Sequence, residues 1–147
     1  MSVNHPEDDW RPAVRRLEAA MNALMSGDAA SIKALYSHRD DVTAFFGWGG
    51  YEKGWPDVSR RWDWAAEQFQ GGGPVTYEHL TATVAPGLVV TTHIETTRVR
   101  LRGTERASEW SNRVTHVFRL EDGEWRLVHR HANRLEPRYE PGTRVRA

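Results

Sequence analysis

The sequence contains no cysteine, which excludes disulfide bonds, thiolate nucleophiles and zinc–thiolate centres from the outset. It also lacks an excess of charge, since 20 lysine and arginine residues balance 20 aspartate and glutamate residues. A protein that grips a nucleic-acid backbone normally carries a basic excess or a basic stripe. Here only the tail after Pro137 is locally basic, through Arg138, Arg144 and Arg146, and Glu140 interrupts it. Lysine is nearly missing, present only at Lys33 and Lys53. No apolar run approaches the ~20 residues of a transmembrane helix, and the opening MSVNHPEDDW is acidic rather than signal-like. These absences predict a cytoplasmic protein with no nucleic-acid and no membrane partner. At 147 residues the chain fits one domain, expected over 1–137, with 138–147 as a C-terminal tail.

What is present in excess is tryptophan, at seven residues. Aromatic side chains bury large areas and fill cores, and they also line concave ligand sites. Trp10, Val14, Leu17, Met21 and Leu24 recur at helical spacing, with Asp8 or Asp9 able to cap the start, Pro12 in the first turn and Gly27 at the end. Asp28 then caps a short helix through Ala29 to Tyr36. Val42 to Phe46 reads as a buried strand that breaks at Gly47-Trp48-Gly49-Gly50-Tyr51. Gly54-Trp55-Pro56-Asp57 opens a third helix with Trp55, Val58, Trp62, Ala65 and Phe69 on one face, stopped by Gly71-Gly72-Gly73-Pro74. The period then changes. Long strands are expected over Val75 to Ala85, Leu88 to about Leu101, Ser108 to Leu120 and Trp125 to Arg134, with turns at Pro86-Gly87 and Asp122-Gly123. Helices first and an antiparallel meander afterwards indicate an α+β fold.

Four stretches stand out together: the helix ending in Gly27-Asp28, the strand Val42-Thr43-Ala44-Phe45-Phe46, the Gly49-Gly50-Tyr51-Glu52-Lys53-Gly54 approach to the third helix and, most specific, Arg113-Val114-Thr115-His116-Val117-Phe118-Arg119 followed by Asp122-Gly123-Glu124-Trp125-Arg126-Leu127-Val128-His129-Arg130-His131. On these residues the chain, from about Trp10 to Asn133, resembles the SnoaL-like and ketosteroid-isomerase-like branch of the NTF2-like superfamily. The resemblance implies an NTF2-like (cystatin-like) cone, with N-terminal helices packed on a curled antiparallel sheet, an open end that forms a pocket, and a homodimer packed through the sheet. It also implies a small-molecule ligand. Alternatives are a cofactor-independent isomerase, cyclase or lyase and a non-catalytic assembly module, because fold alone does not decide function. Laid over a ketosteroid isomerase, the catalytic base position falls at about Phe46, the tyrosine near Ala20 or Met21, and the aspartic acid near His116. None of those groups is reproduced in kind, and no cofactor is expected.

A two-residue turn at Asp122-Gly123 pairs Leu120 with Trp125 and Phe118 with Leu127. Continued in register, it pairs His116 with His129, Val114 with His131, and Asn112 with Asn133. Strict alternation then puts His116, His129, His131, Asn112 and Asn133 on one face. Arg113, Arg119, Arg126 and Arg130 fall on the other, and a bulge would swap part of a strand. Imidazole suits proton transfer near neutral pH, so His116, His129 and His131 are the candidate acids or bases. Three imidazoles could also hold zinc, but no carboxylate stands behind them, and no metal site is expected. His93 and Glu95 share one strand face. A turn at Pro86-Gly87 puts Glu78 opposite Glu95 and Leu80 opposite His93, and Glu95 is the candidate carboxylate base if that face turns inward. Trp48, Tyr51, Trp62, His93, Asn112, Arg113 and Asn133 are the candidate ligand contacts. Arg113 suits a bidentate grip on a carboxylate or phenolate, or a dimer-interface ion pair. Asp40-Asp41 reads as a loop or cap, Trp10, Trp55 and Trp125 as packing, and Trp64 and Trp110 stay unassigned.

Overall fold

A computed structural model describes residues 9–146 of the chain. Three helices, α1 (Arg11–Met25), α2 (Ala30–Leu35) and α3 (Trp55–Gln68), pack against a six-stranded sheet. The strands are β1 (Thr43–Phe45), β2 (Glu52–Lys53), β3 (Val75–Ala85), β4 (Leu88–Arg100), β5 (Ala107–Glu121) and β6 (Glu124–Arg134). Their order across the sheet is β2-β1-β6-β5-β4-β3. The sheet is mixed rather than antiparallel throughout, because β1 runs parallel to β6. The loop from Asp40 to Val42 delivers β1 from the helices in the direction of β6, and the two-residue β2, absent from the sequence reading, then pairs back on it.

The helices form where their apolar stripes repeat. Ala13, Leu17, Ala20, Met21 and Leu24 of α1 are buried, as are Ile32 and Leu35 of α2 and Val58, Trp62, Ala65 and Ala66 of α3. Asp9 accepts from the Arg11 amide at 3.1 Å, and Asp28 from the Ala30 amide at 2.8 Å, which satisfies otherwise orphaned donors at the two starts. Asp8, the alternative cap, lies outside the described residues. The Cβ that any other residue would carry at Gly72 would meet Arg98 O at 2.8 Å and Met25 O at 3.2 Å, so a side chain here would push α1 and β4 apart. The turn from β5 to β6 has Asp122 at φ 51° and Gly123 at φ 81°, the positive pair that a tight hairpin with the native twist requires.

Two bulges set which residues face the helices. On β6, Phe118 pairs with Leu127 but Val117 pairs with His129, which leaves Val128 without a partner. Beyond it the register reads His116 with Arg130, Thr115 with His131 and Arg113 with Asn133. The expected pairs of His116 with His129, Val114 with His131, and Asn112 with Asn133 are therefore displaced by one residue. On β3, Leu80 is the extra residue: His79 pairs with His93 and Tyr77 with Glu95, so Glu78 does not oppose Glu95 and Leu80 does not oppose His93. A one-residue slip moves every later side chain to the other face.

Candidate functional site

Strand β4 turns Val89, Thr91, His93, Glu95, Thr97 and Val99 inward, and all six are buried. An apolar strand with a Thr-x-His-x-Glu-x-Thr centre thus presents polar groups to the helices. Strand β5 adds Val114, His116 and Phe118. After the Val128 bulge, β6 adds Arg130 and Ala132. Arg130 reaches over β5 to Glu95, two strands away, a span of ~10 Å that only a long side chain covers. Its Nη2 donates to Glu95 Oε1 at 2.8 Å and its Nη1 to Oε2 at 3.1 Å, a bidentate pair. Glu95 is 1% exposed and Arg130 3%.

The same Nη1 donates to His116 Nε2 at 3.0 Å. A guanidinium has no acceptor, so Nε2 must present its lone pair and the ring proton sits on Nδ1. Burial drives the His116 pKa well below the usual histidine range, and the Arg130 and His93 charges push the same way. His93 packs 4.9 Å from the His116 ring centre. Burial first, then Arg130, lowers it to about 4 against the opposing pull of Glu95. Burial would raise the Glu95 carboxyl, but the Arg130 guanidinium outweighs it and holds the group below the ordinary carboxylate value. Tyr77, opposite Glu95 on β3, has its phenol raised by burial and by the Glu95 charge. At neutral pH the cluster therefore holds one cation, one anion and two neutral imidazoles.

Above this cluster lies a cavity of about 150 Å³. Glu95, Arg130, Arg134, Asn112 and Thr97 contribute its polar lining, and Trp48, Trp62, Phe46, Phe69 and Trp110 its aromatic walls. Phe46 meets Trp62 edge-on at 4.8 Å and stacks on Trp48 at 5.1 Å, while Phe69 meets Trp110 at 6.3 Å. The Arg134 guanidinium lies 3.8 Å over the Trp110 ring. A wider surface groove of about 620 Å³ runs between α1, α2 and the β5–β6 hairpin. Of its charged residues, Glu124 and Arg126 pair with each other and Asp9 pairs with Arg11. The smaller cavity is the one in which aromatic walls and buried polar groups converge.

Of the sequence candidates, Glu95, His93 and His116 meet in the buried cluster, and Trp48, Trp62 and Asn112 line the cavity. The rest do not join them. His129 is half-buried on the opposite face, its Nδ1 2.7 Å from Thr43 Oγ1 and its ring against Phe45. His131, Asn133 and Arg113 also face outward and line a depression of about 270 Å³ with Leu80 and Ile94. For His129, His131 and Asn133 the Val128 bulge is the physical reason, and it also keeps the three imidazoles of His116, His129 and His131 from converging; Arg113, on β5, lies on the outer face that alternation gave it. Tyr51 is 72% exposed and meets Phe45 outside the cavity. Asp41 holds Arg119 in a bidentate ion pair at 2.7 and 3.0 Å, a loop-to-sheet tie.

Arg130, which the sequence reading put on the outer face, Trp110, which it left unassigned, and Phe46, Phe69 and Arg134, which it did not place in the site, are among the residues it missed. Trp125, Leu127, Val128, Arg130 and Ala132 carry a signal for the first. The adjacent pair Leu127-Val128 breaks strict alternation, as a bulge does.

The SnoaL-like domain profile matches residues 14–133. The chain belongs to the SnoaL-like domain family. The fold agrees with solved structures. An NTF2-like superfamily protein from Salmonella enterica serovar Typhimurium is 13% identical, with 94% of this chain and 96% of that one covered at a TM-score of 0.73. A Streptomyces avermitilis protein provisionally named a dehydratase of the NTF2-like family is 17% identical, over 90% of this chain and all of that one, TM-score 0.70. A Thiobacillus denitrificans protein provisionally named a calcium/calmodulin-dependent protein kinase type II association domain is 21% identical, over 86% and 94%, TM-score 0.69. At these identities the likeness is one of fold. No curated protein matches the chain. Against the ketosteroid-isomerase pattern, this SnoaL-like cone carries Phe46 and Met21 in its cavity lining and a neutral His116 beneath it.

Proposed function

We propose that this SnoaL-like chain binds a small, largely apolar molecule in the open end of its cone. The observation that carries the reading is the aromatic-walled cavity of about 150 Å³ that ends on the buried Glu95–Arg130 pair. Binding sites are typically apolar with a few placed polar groups, and this cavity has that make-up. Its size suits a single ring, since a dry cavity of about this volume can accept benzene. Proton-transfer chemistry by a pocket histidine has less support. His116 already spends its Nε2 lone pair on Arg130, and His129 and His131 lie on the other face. The test is a melting-shift and tryptophan-fluorescence screen with single-ring compounds. A shift with quenching that is lost in Trp62→Ala supports the reading. No shift from any of them sinks it.

The outward face supports a second proposal, a homodimer packed through the sheet. Arg113, His131 and Asn133 surround Leu80, which is 53% exposed. Light scattering at micromolar concentration should report twice the mass of one chain. A monomer there removes the proposal.

A further inference from the structure

Two residues of the cavity lining carry buried hydrogen-bond donors that no group among the described residues answers. Arg130 directs both terminal nitrogens at Glu95, and Nη1 also at His116, yet its Nε is buried with no partner. In a guanidinium the Nε–H and the outer N–H of Nη2 lie side by side along one edge, a second fork for a planar two-oxygen acceptor. Trp62 is wholly buried, and its indole Nε1–H also lacks a partner. Both residues line the cavity. Native interiors leave few polar atoms in this state, and each calls for an explanation such as an absent ligand. The two orphan atoms in the lining are both donors, so the missing group is an acceptor.

Charge points the same way. The ionisable residues of the lining are Glu95, Arg130 and Arg134. Glu95 is consumed by Arg130, and Arg134 forms no ion pair among the described residues; it lies instead on the Trp110 ring. The lining therefore keeps one uncompensated positive charge.

We infer that the ligand is a monoanionic single-ring carboxylate of about the size of benzoate, its carboxylate on the free edge of Arg130 and its ring between the aromatic walls. Arg134 supplies the balancing charge at the Trp110 side. The inference rests on the reading of the cone as a ligand site and narrows it to a chemical class.

The experiment titrates the full chain with three probes, benzoate, its neutral isostere benzamide, and toluene, by calorimetry at low and at moderate ionic strength. A charge-assisted hydrogen bond in a dry site favours the anion by about tenfold or more. Benzoate is expected to bind that much more tightly than benzamide and to weaken as salt rises. Arg134→Gln is expected to cost benzoate several-fold more than it costs toluene, which senses only the altered packing on Trp110. Trp62→Phe keeps a ring and removes the N–H, so it should narrow the gap between benzoate and benzamide. Arg130 is replaced together with its partner, as Glu95→Gln/Arg130→Gln, so that no lone charge is buried; the preference for benzoate should disappear. Toluene or benzamide binding as tightly as benzoate overturns the carboxylate inference while the cone stays a ligand site. A benzoate preference untouched by all three variants also overturns it. Binding of none of the probes removes the ligand-site reading itself, and this inference with it.

Discussion

Replacing Arg130 with glutamine removes the cation that faces Glu95 and leaves a carboxylate that is 1% exposed without its partner. The wild-type pair is bidentate, at 2.8 and 3.1 Å. Deleting one member of such a pair costs about 3–5 kcal/mol, because the survivor stays charged in a dry interior. For a domain of this size each kcal/mol lowers Tm by ~2–4 °C, so the expected drop at pH 7 is on the order of 6–20 °C. The double variant Glu95→Gln/Arg130→Gln exchanges both ions for neutral amides, an isostere at position 95 and a shorter side chain at position 130. It is expected to be more stable than Arg130→Gln alone, because it leaves no lone charge buried. The pH dependence follows from Glu95. Without Arg130, burial is the largest influence on the carboxyl, outweighs the smaller lowering by His93 and Tyr77, and lifts its folded pKa above the unfolded value of ~4.3. A group raised in this way contributes stability that is present below the unfolded value and lost as pH rises through the folded one. The gap between the single and the double variant should therefore be widest at pH 7 and narrow toward pH 5. Urea unfolding of wild type and both variants at the two pH values measures it. A loss below about 1 kcal/mol in Arg130→Gln, or a double variant no more stable than the single, refutes the reasoning.

Acid should destabilise the protein through His93. Its folded pKa of about 4 lies under the unfolded value of ~6.5, so the unfolded chain binds the extra proton and stability falls as pH drops through that window. The shift corresponds to about 3 kcal/mol, with His116 acting in the same direction; His93→Gln should flatten the acid limb of a stability–pH curve, and an unchanged limb counts against the burial argument. Gly72→Ala places a Cβ against the backbone oxygens of Arg98 and Met25, and a fixed overlap of this kind costs about 1–3 kcal/mol. Gly47→Ala, whose Cβ would find Ala132 O at an ordinary 3.6 Å, should stay within about 0.5 kcal/mol of wild type. Chemical denaturation of both separates them, and equal losses would remove the steric explanation.

Much of the architecture was legible from pattern alone, because the core sides of α1, α3, β4 and the start of the last hairpin follow their natural periods. The inward turn of Glu95 and His93 was open in the sequence, and it depends on β4 having helices on that side. The inventory of the site was harder. Trp62, Asn112 and His116 could be assigned to the inner side because each lies on an unbroken stretch of its element, upstream of any bulge, whereas Trp48 sits in the glycine-rich connection and had no such period behind it. His131, Asn133 and Arg130 could not, since each lies beyond Val128, where one unpaired residue exchanges inside for outside. Tyr51 was misjudged for another reason: a glycine-rich connection has no period, so nothing local says which way its aromatic ring points.

By itself, then, the sequence determined the class of fold, the order of its elements and the family, because hydrophobic period, turn residues and the R-x-T-x-V-F-R and D-G-x-W-R-x-V-H-x-H stretches are local properties. The zero net charge and the tryptophan excess were equally plain. Only the tertiary structure decided where they act. The bulge at Val128 turns an arginine inward, and its side chain crosses β5 to a buried glutamate, under a ring of aromatic side chains. That meeting depends on register across non-adjacent strands, which a chain read along its length does not contain.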